Sequence, residues 1–208
     1  MANVYAVKSG NWSDPTVWNT GSLPTSSDDV YSNNYTVTID VDITVNTIRN
    51  FGTYNGGVFA ISSSRTVTCP SGFLIGSYGL QITQALGRVV NLIGNITSGN
   101  NNNGRGVYIG GTLGTLNVTG NVTSYNMTGI LIQTNGVTVN ITGNLYAGDS
   151  TTGQALDIQN YTSNVYITGT IYGGLQASGV GNPGNNSIIE HIGSCYAQNG
   201  YPAINTSN

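Results

Sequence analysis

The sequence predicts an all-β solenoid. Three observations predict it: a phrase written four times, a period of two inside each copy, and a composition poor in charged residues. The copies are VNLIGNITSG from Val90, LNVTGNVTSY from Leu116, VNITGNLYAG from Val139 and VYITGTIYGG from Val165. Their glycines are Gly94, Gly120, Gly143 and Gly169, spaced by 26, 23 and 26 residues. A period in the twenties marks a repeat that buries its apolar face only by stacking on its neighbours. Within a copy, apolar and polar residues alternate, which is strand spacing. In the third copy Val139, Ile141, Leu145, Leu156 and Ile158 form the apolar set, with Asn140, Thr142 and Asn144 between them. The glycines are read as structural bends, where a Cβ would be costly. Charged residues are 6% of the chain, with one Lys and one Glu, so the usual helix formers are scarce. Asn suits turns and ladders between like coils.

From the N-terminus, SGNWSDPTVWNTGSLPTSSDDV carries both tryptophans and two prolines and reads as turn-rich. Residues 1–35 are assigned to a cap or attachment segment and 36–208 to the solenoid domain. Alternation runs from Tyr35 to Ile48, so Val37, Ile39, Val41, Ile43, Val45 and Ile48 are expected to line one interior. Trp12 and Trp18 are expected to seal its open end, since a naked end invites aggregation. Residues 51–88 supply shorter strands, GVFAIS, RTVTC, GFLIGS and GLQIT, for one or two less regular coils. Each of the four copies is followed by a second strand group, GVYIGG, GILIQT, ALDIQN and SIIEHI. The loops between the groups vary at one fixed place, so they are expected on one side. The tail AQNGYPAINTSN is read as a cap for the last coil.

Composition excludes several functions. Five Lys and Arg residues cannot neutralise many phosphates, so no nucleic-acid partner is expected. No apolar run is long enough to span a membrane. MANVYAVKSG lacks the pattern of a signal peptide. Cys69 and Cys195 would stand about five rungs apart, on the order of 24 Å at ~4.8 Å per rung. That is too far for a disulfide, so two buried or half-buried free thiols are expected.

The acids are Asp14, Asp28, Asp29, Asp40, Asp42, Asp149, Asp157 and Glu190. Glycoside hydrolysis needs two carboxylates facing one bond. Asp40 and Asp42 are the best-spaced pair, and their ordinary reading is the solvated face of a strand. Asp28 and Asp29 read as turn caps, not as the six to eight oxygens of a calcium site. Glu190 and His191 are strand neighbours, point to opposite faces and make no dyad. Arg88 and Arg105 have no acidic neighbours. No nucleophile-elbow, zinc or P-loop pattern occurs. Neither catalysis, nor a metal, nor a cofactor is expected. The Asn-x-Ser/Thr triplets follow from composition.

The N-terminal pattern GNW…W…GSLP…DDV…TVTID…ITVNTI, over about residues 9–49, resembles a segment that opens many bacterial and phage β-helix proteins. The coils resemble a right-handed parallel β-helix of six to eight turns. Short members of this group resemble structural proteins of tailed phages. The resemblance implies a virion protein made in the host cytoplasm, a homotrimer attached to the major capsid protein or another virion protein. A head decoration or cement role is the first reading. A tail fibre or spike module that binds host glycans, or a bacterial surface adhesin, is the alternative. Trp12, Trp18, Tyr125, Tyr146 and Tyr172 are the candidate interface or binding residues. Tyr146 and Tyr172 share one repeat position, held by Thr97 and Thr123 in the other copies, and are expected to form an outward stripe.

Overall fold

In the computed structural model the alternating runs are parallel strands, and the chain winds them into a β-solenoid. The structure describes residues 2–50, 56–77, 79–83, 87–98, 106–111, 114–125, 128–147, 154–158, 162–173, 180–181 and 188–196. Among these, three parallel sheets of nine, eight and seven strands form the sides of the coil. Six consecutive turns give one strand to each sheet. The turns before them lack a strand in the seven-stranded sheet, and the last described turn lacks one in the eight-stranded sheet.

Register is continuous, so each interior position is a column along the axis. Phe73, Ile96, Val122, Leu145 and Ile171 stack in the nine-stranded sheet. Ile61, Ile82, Ile109, Ile132 and Ile158 stack in the eight-stranded sheet. Val67, Leu92, Val118, Ile141 and Ile167 stack in the seven-stranded sheet. All of these are buried, as are Val139 and Leu156. Their Asn and Thr neighbours face outward, because strand side chains alternate.

The repeat glycines stand at the corner between the seven- and nine-stranded sheets. Gly94, Gly120, Gly143 and Gly169 have φ between +137° and +149°. A Cβ at Gly120, Gly143 or Gly169 would run into the carbonyl oxygen of the glycine one turn below, and at Gly94 into that of Cys69. A fifth member, Gly193 (φ +146°), continues the column.

That fifth glycine corrects one assignment. SIIEHI was grouped with GVYIGG, GILIQT and ALDIQN, but Ile188–Ile192 pairs with Ser163–Thr168 in the seven-stranded sheet. It opens a fifth copy of the phrase. The strand in line with Gln154–Ile158 is instead Val180–Gly181. A second correction concerns Val41, which is 39% exposed. The run from Tyr35 to Ile48 is no single strand: it bends between Thr36–Thr38 and Ile43–Thr44, and Val41 sits on the outside of that bend. Val37, Ile39, Ile43, Val45 and Ile48 are buried as expected.

Within residues 1–35, the strands Asn3–Tyr5, Gly10–Asn11 and Asp29–Tyr31 pair in parallel with the coils. Between them lies a short 3-10 helix, Pro15–Val17, whose N-cap Asp14 accepts from the Thr16 amide at 2.9 Å. Trp12 and Trp18 pack edge to face at 4.8 Å, and the Trp18 indole N–H donates to the Trp12 carbonyl at 3.0 Å. Each is only 2% exposed. Both rings are therefore buried within the N-terminal segment. The first three variable loops leave the nine-stranded sheet for the eight-stranded sheet, and the fourth stretch, before Ile188, contains the strand Val180–Gly181. Most of their residues, and the tail, lie outside the described residues.

The glycine column makes a quantitative prediction. Gly143→Ala combines an unfavourable φ with a backbone collision and should cost about 2–4 kcal/mol in urea unfolding. Gly136→Ala has a positive φ but open space around it, and should cost about 1 kcal/mol. Equal costs for the two would contradict the collision.

Candidate functional site

The acids are the first groups to place, because catalysis would need them. Asp40 accepts from the Ser13 amide at 3.0 Å and the Ser13 hydroxyl at 2.6 Å. Asp42 accepts from the Thr66 amide at 2.9 Å, one turn on. The two carboxylates lie on a bend, not along one strand, and each ties down a different segment. Asp28 accepts from both the amide and the hydroxyl of Thr25, each at 2.8 Å, which makes it the turn cap anticipated. Asp29 accepts from Asn46 at 2.7 Å and Thr47 at 2.8 Å, and Arg49 stands 3.5 Å away. Asp157 is buried and Glu190 is exposed. Asp149, Arg105 and Tyr161 lie outside the described residues. Among the described residues no group of three or more His, Cys, Asp or Glu side chains could hold a metal ion.

Two ladders explain the Asn in the repeated phrase. On the outer face of the seven-stranded sheet, Asn140 donates to Asn117 and Asn117 to Asn91, each at 2.8 Å, and Asn91 donates to Thr66 at 3.1 Å. At the corner, the side-chain oxygens of Asn95, Asn121 and Asn144 accept from the amides of Asn121, Asn144 and Thr170 at 2.8–2.9 Å. The Asn after Gly94, Gly120 and Gly143 therefore caps the backbone one turn further on. Satisfying those amides is what an Asn at that position contributes.

The aromatic stripe forms and is longer than the sequence indicated. Thr97, Thr123, Tyr146, Tyr172 and Tyr196 occupy one outward column. Tyr146 and Tyr172 stack at 4.7 Å with planes 7° apart, and Tyr172 and Tyr196 at 5.3 Å and 12°. Their faces are turned to one another along the axis. Within the stack a sugar has no ring face to lie on, and only edges and hydroxyls look outward. Tyr196, the last described ring of the stack, is 53% exposed. Tyr125 stands apart and is 50% exposed.

The C-terminal end of the described coil differs from the N-terminal end. Ile188, Ile192 and Tyr196 are 47%, 73% and 53% exposed. Glu190 and His191 point to opposite faces, as their adjacency requires. His191 instead meets Cys195: Sγ lies 3.2 Å from Nδ1. Sequence reading missed this pair because the fifth copy was not recognised. Aligning IEHIGSCY from Ile189 with VYITGTIY from Val165 would have found it. Both cysteines are free. Cys69 is buried, and that burial pushes its thiol pKa far up. Cys195 is exposed, against the expectation of a buried or half-buried thiol.

Family models, curated proteins and solved structures give no match to the chain.

Two predictions follow from these contacts. Burial raises the Asp40 carboxyl, but the Ser13 hydrogen bonds and the Arg65 charge outweigh it and hold the group below its ordinary value. Burial likewise raises Asp28, and the Thr25 and Ala2 hydrogen bonds with the N-terminal charge reverse it. A carboxylate depressed in the fold stabilises above its unfolded pKa of about 4 and ceases to as pH falls through its folded value. Urea midpoints should therefore be level above about pH 5 and drop below about pH 4. Asp40→Asn should make that drop shallower; an unchanged acid limb would refute the assignment. In the stripe, Tyr172→Phe should leave the melting temperature nearly unchanged, while Tyr172→Ala should cost about 1 kcal/mol or more. Equal melting temperatures for the two variants would deny the stack a stabilising role.

Proposed function

We propose that this chain is a structural, non-enzymatic subunit of a virus particle: a trimeric decoration protein that binds the head shell and stiffens it. The observation that supports this most is how the acids are spent. Asp14, Asp28, Asp29, Asp40 and Asp42 each hold a turn or a neighbouring segment. What remains for the outside is a prism of Thr, Asn and Tyr with little charge. Its N-terminal end is closed by two tryptophans, and its other end exposes Ile188, Ile192 and Tyr196. Such a body acts through rigid surface contact. Attachment would bury the exposed apolar groups at junctions between copies of this chain, and between the trimer and the major capsid protein. It is made in the host cytoplasm and joins the virion there.

A second reading, a tail fibre or spike module that binds host glycans, is favoured by the exposed rings of Tyr196 and Tyr125. One face can stack on a pyranose as it would on another aromatic.

Light scattering on the purified chain, then mixing with emptied heads of the candidate phage, tests the proposal. A trimer that coats heads and raises their heat resistance is the expected result. A trimer that ignores heads but binds host polysaccharide, weakened by Tyr196→Ala, would move the assignment to the tail. A monomer that does neither would refute both.

A further inference from the structure

Successive turns place two large aliphatic side chains on either side of the glycine bend. These are Leu92 and Ile96, Val118 and Val122, Ile141 and Leu145, then Ile167 and Ile171, all buried. The last described turn breaks the pattern. Register pairs His191 with Ile167 and Cys195 with Ile171. An imidazole and a thiol thus occupy two core columns, four residues apart across Gly193.

Their geometry is specific. His191 Nε2 lies 2.6 Å from the Gly169 carbonyl oxygen, and His191 Nδ1 lies 3.2 Å from Cys195 Sγ. A carbonyl can only accept, so Nε2 carries the proton and donates it. In the neutral ring that leaves the lone pair of Nδ1 facing the thiol. The bend keeps the ring there: a Cβ on Gly193 would press on Nε2 from 3.1 Å and collide with the Gly169 carbonyl. A nucleophile within reach of a base, with the base oriented by a third group, is the arrangement that activates a thiol. Relaxed packing in the last described turn accounts for a polar residue at either position. It does not account for a thiol set against the unprotonated nitrogen of an oriented imidazole.

From this geometry we infer that Cys195, with His191 as its base, is a nucleophilic thiol site for low-molecular-weight disulfides. His191 Nδ1 takes the thiol proton. The Cys195 sulfur attacks one sulfur of the disulfide, the S–S bond of the reagent breaks as the new one forms, and the departing thiolate takes the proton from the imidazolium. One disulfide and one thiol become a mixed disulfide and one thiol, with no further oxidant. The chain holds no resolving partner, because Cys69, its other cysteine, is buried and several turns away. The adduct therefore persists as a modification and does not turn over. It stands beside Tyr196 and Ile192, so it alters the end of the solenoid that exposes its apolar groups.

The test uses the full native chain at neutral pH with an aromatic disulfide that releases a coloured thiol, and with glutathione disulfide followed by mass mapping. The expected result is one equivalent of adduct per chain, at Cys195, formed about tenfold faster than on a free-cysteine peptide. His191→Gln keeps an N–H donor for the Gly169 carbonyl but supplies no base. It should slow the reaction about tenfold at an unchanged melting temperature. A wild-type rate equal to that of the peptide, or a His191→Gln rate equal to wild type, would overturn the inference. Should His191→Gln not fold, the comparison of wild type with peptide decides alone.

Discussion

At Gly94, Gly120, Gly143, Gly169 and Gly193 a backbone carbonyl from the turn below occupies the place where a side chain would begin. This approach fixes the rest. It sets the corner between two sheets, and so the direction in which each strand of the nine-stranded sheet leaves the one before it. Once the corner repeats without drift, every interior residue lies over its counterpart, and the aliphatic columns follow. Each turn of a solenoid packs only on its neighbours, so a constraint repeated at every turn must carry the register.

The polar outside uses the same register. A side-chain amide can donate to the turn below and accept from the turn above only if its neighbours present the same group at the same height. The Asn91, Asn117 and Asn140 ladder and the Asn95, Asn121 and Asn144 caps meet that condition. The tyrosine stack is the aromatic version of the same device, since parallel rings one turn apart fall near stacking distance. The two ends of the coil are chemically unlike. In the N-terminal segment two indoles pack edge to face, and the Trp18 N–H donates to the Trp12 backbone carbonyl. The last described turn carries the exposed Ile188, Ile192 and Tyr196 and the Cys195–His191 pair.

Much of this was legible in the sequence. The phrase, its glycines and its period of two imply strands stacked in register, and Tyr146 and Tyr172 were matched by position alone. What was not legible has a common cause. Alternation counts residues but does not see corners, so Val41 was counted into a strand that had already bent outward. The fifth copy was hidden because His191 and Cys195 stand where earlier turns carry aliphatics, and with it went Tyr196, the end of the stack. The reason for Asn after Gly94, Gly120 and Gly143 is a contact between turns, which no single copy displays. Asp40 and Asp42 have strand-like spacing, yet the bend between them gives each a separate partner.

Register between copies of the phrase is the claim on which the rest stands, and disulfide trapping in a variant with Cys69 and Cys195 replaced by Ser reads it directly. Thr119 and Thr142 are register partners in adjacent turns, within the span a disulfide bridges. Thr138 lies four residues back along the same strand as Thr142, on the order of 13 Å away. The account predicts that Thr119→Cys with Thr142→Cys closes a bond under mild oxidation and that Thr119→Cys with Thr138→Cys does not. Closure of the second pair, or failure of the first in a folded chain, would contradict it.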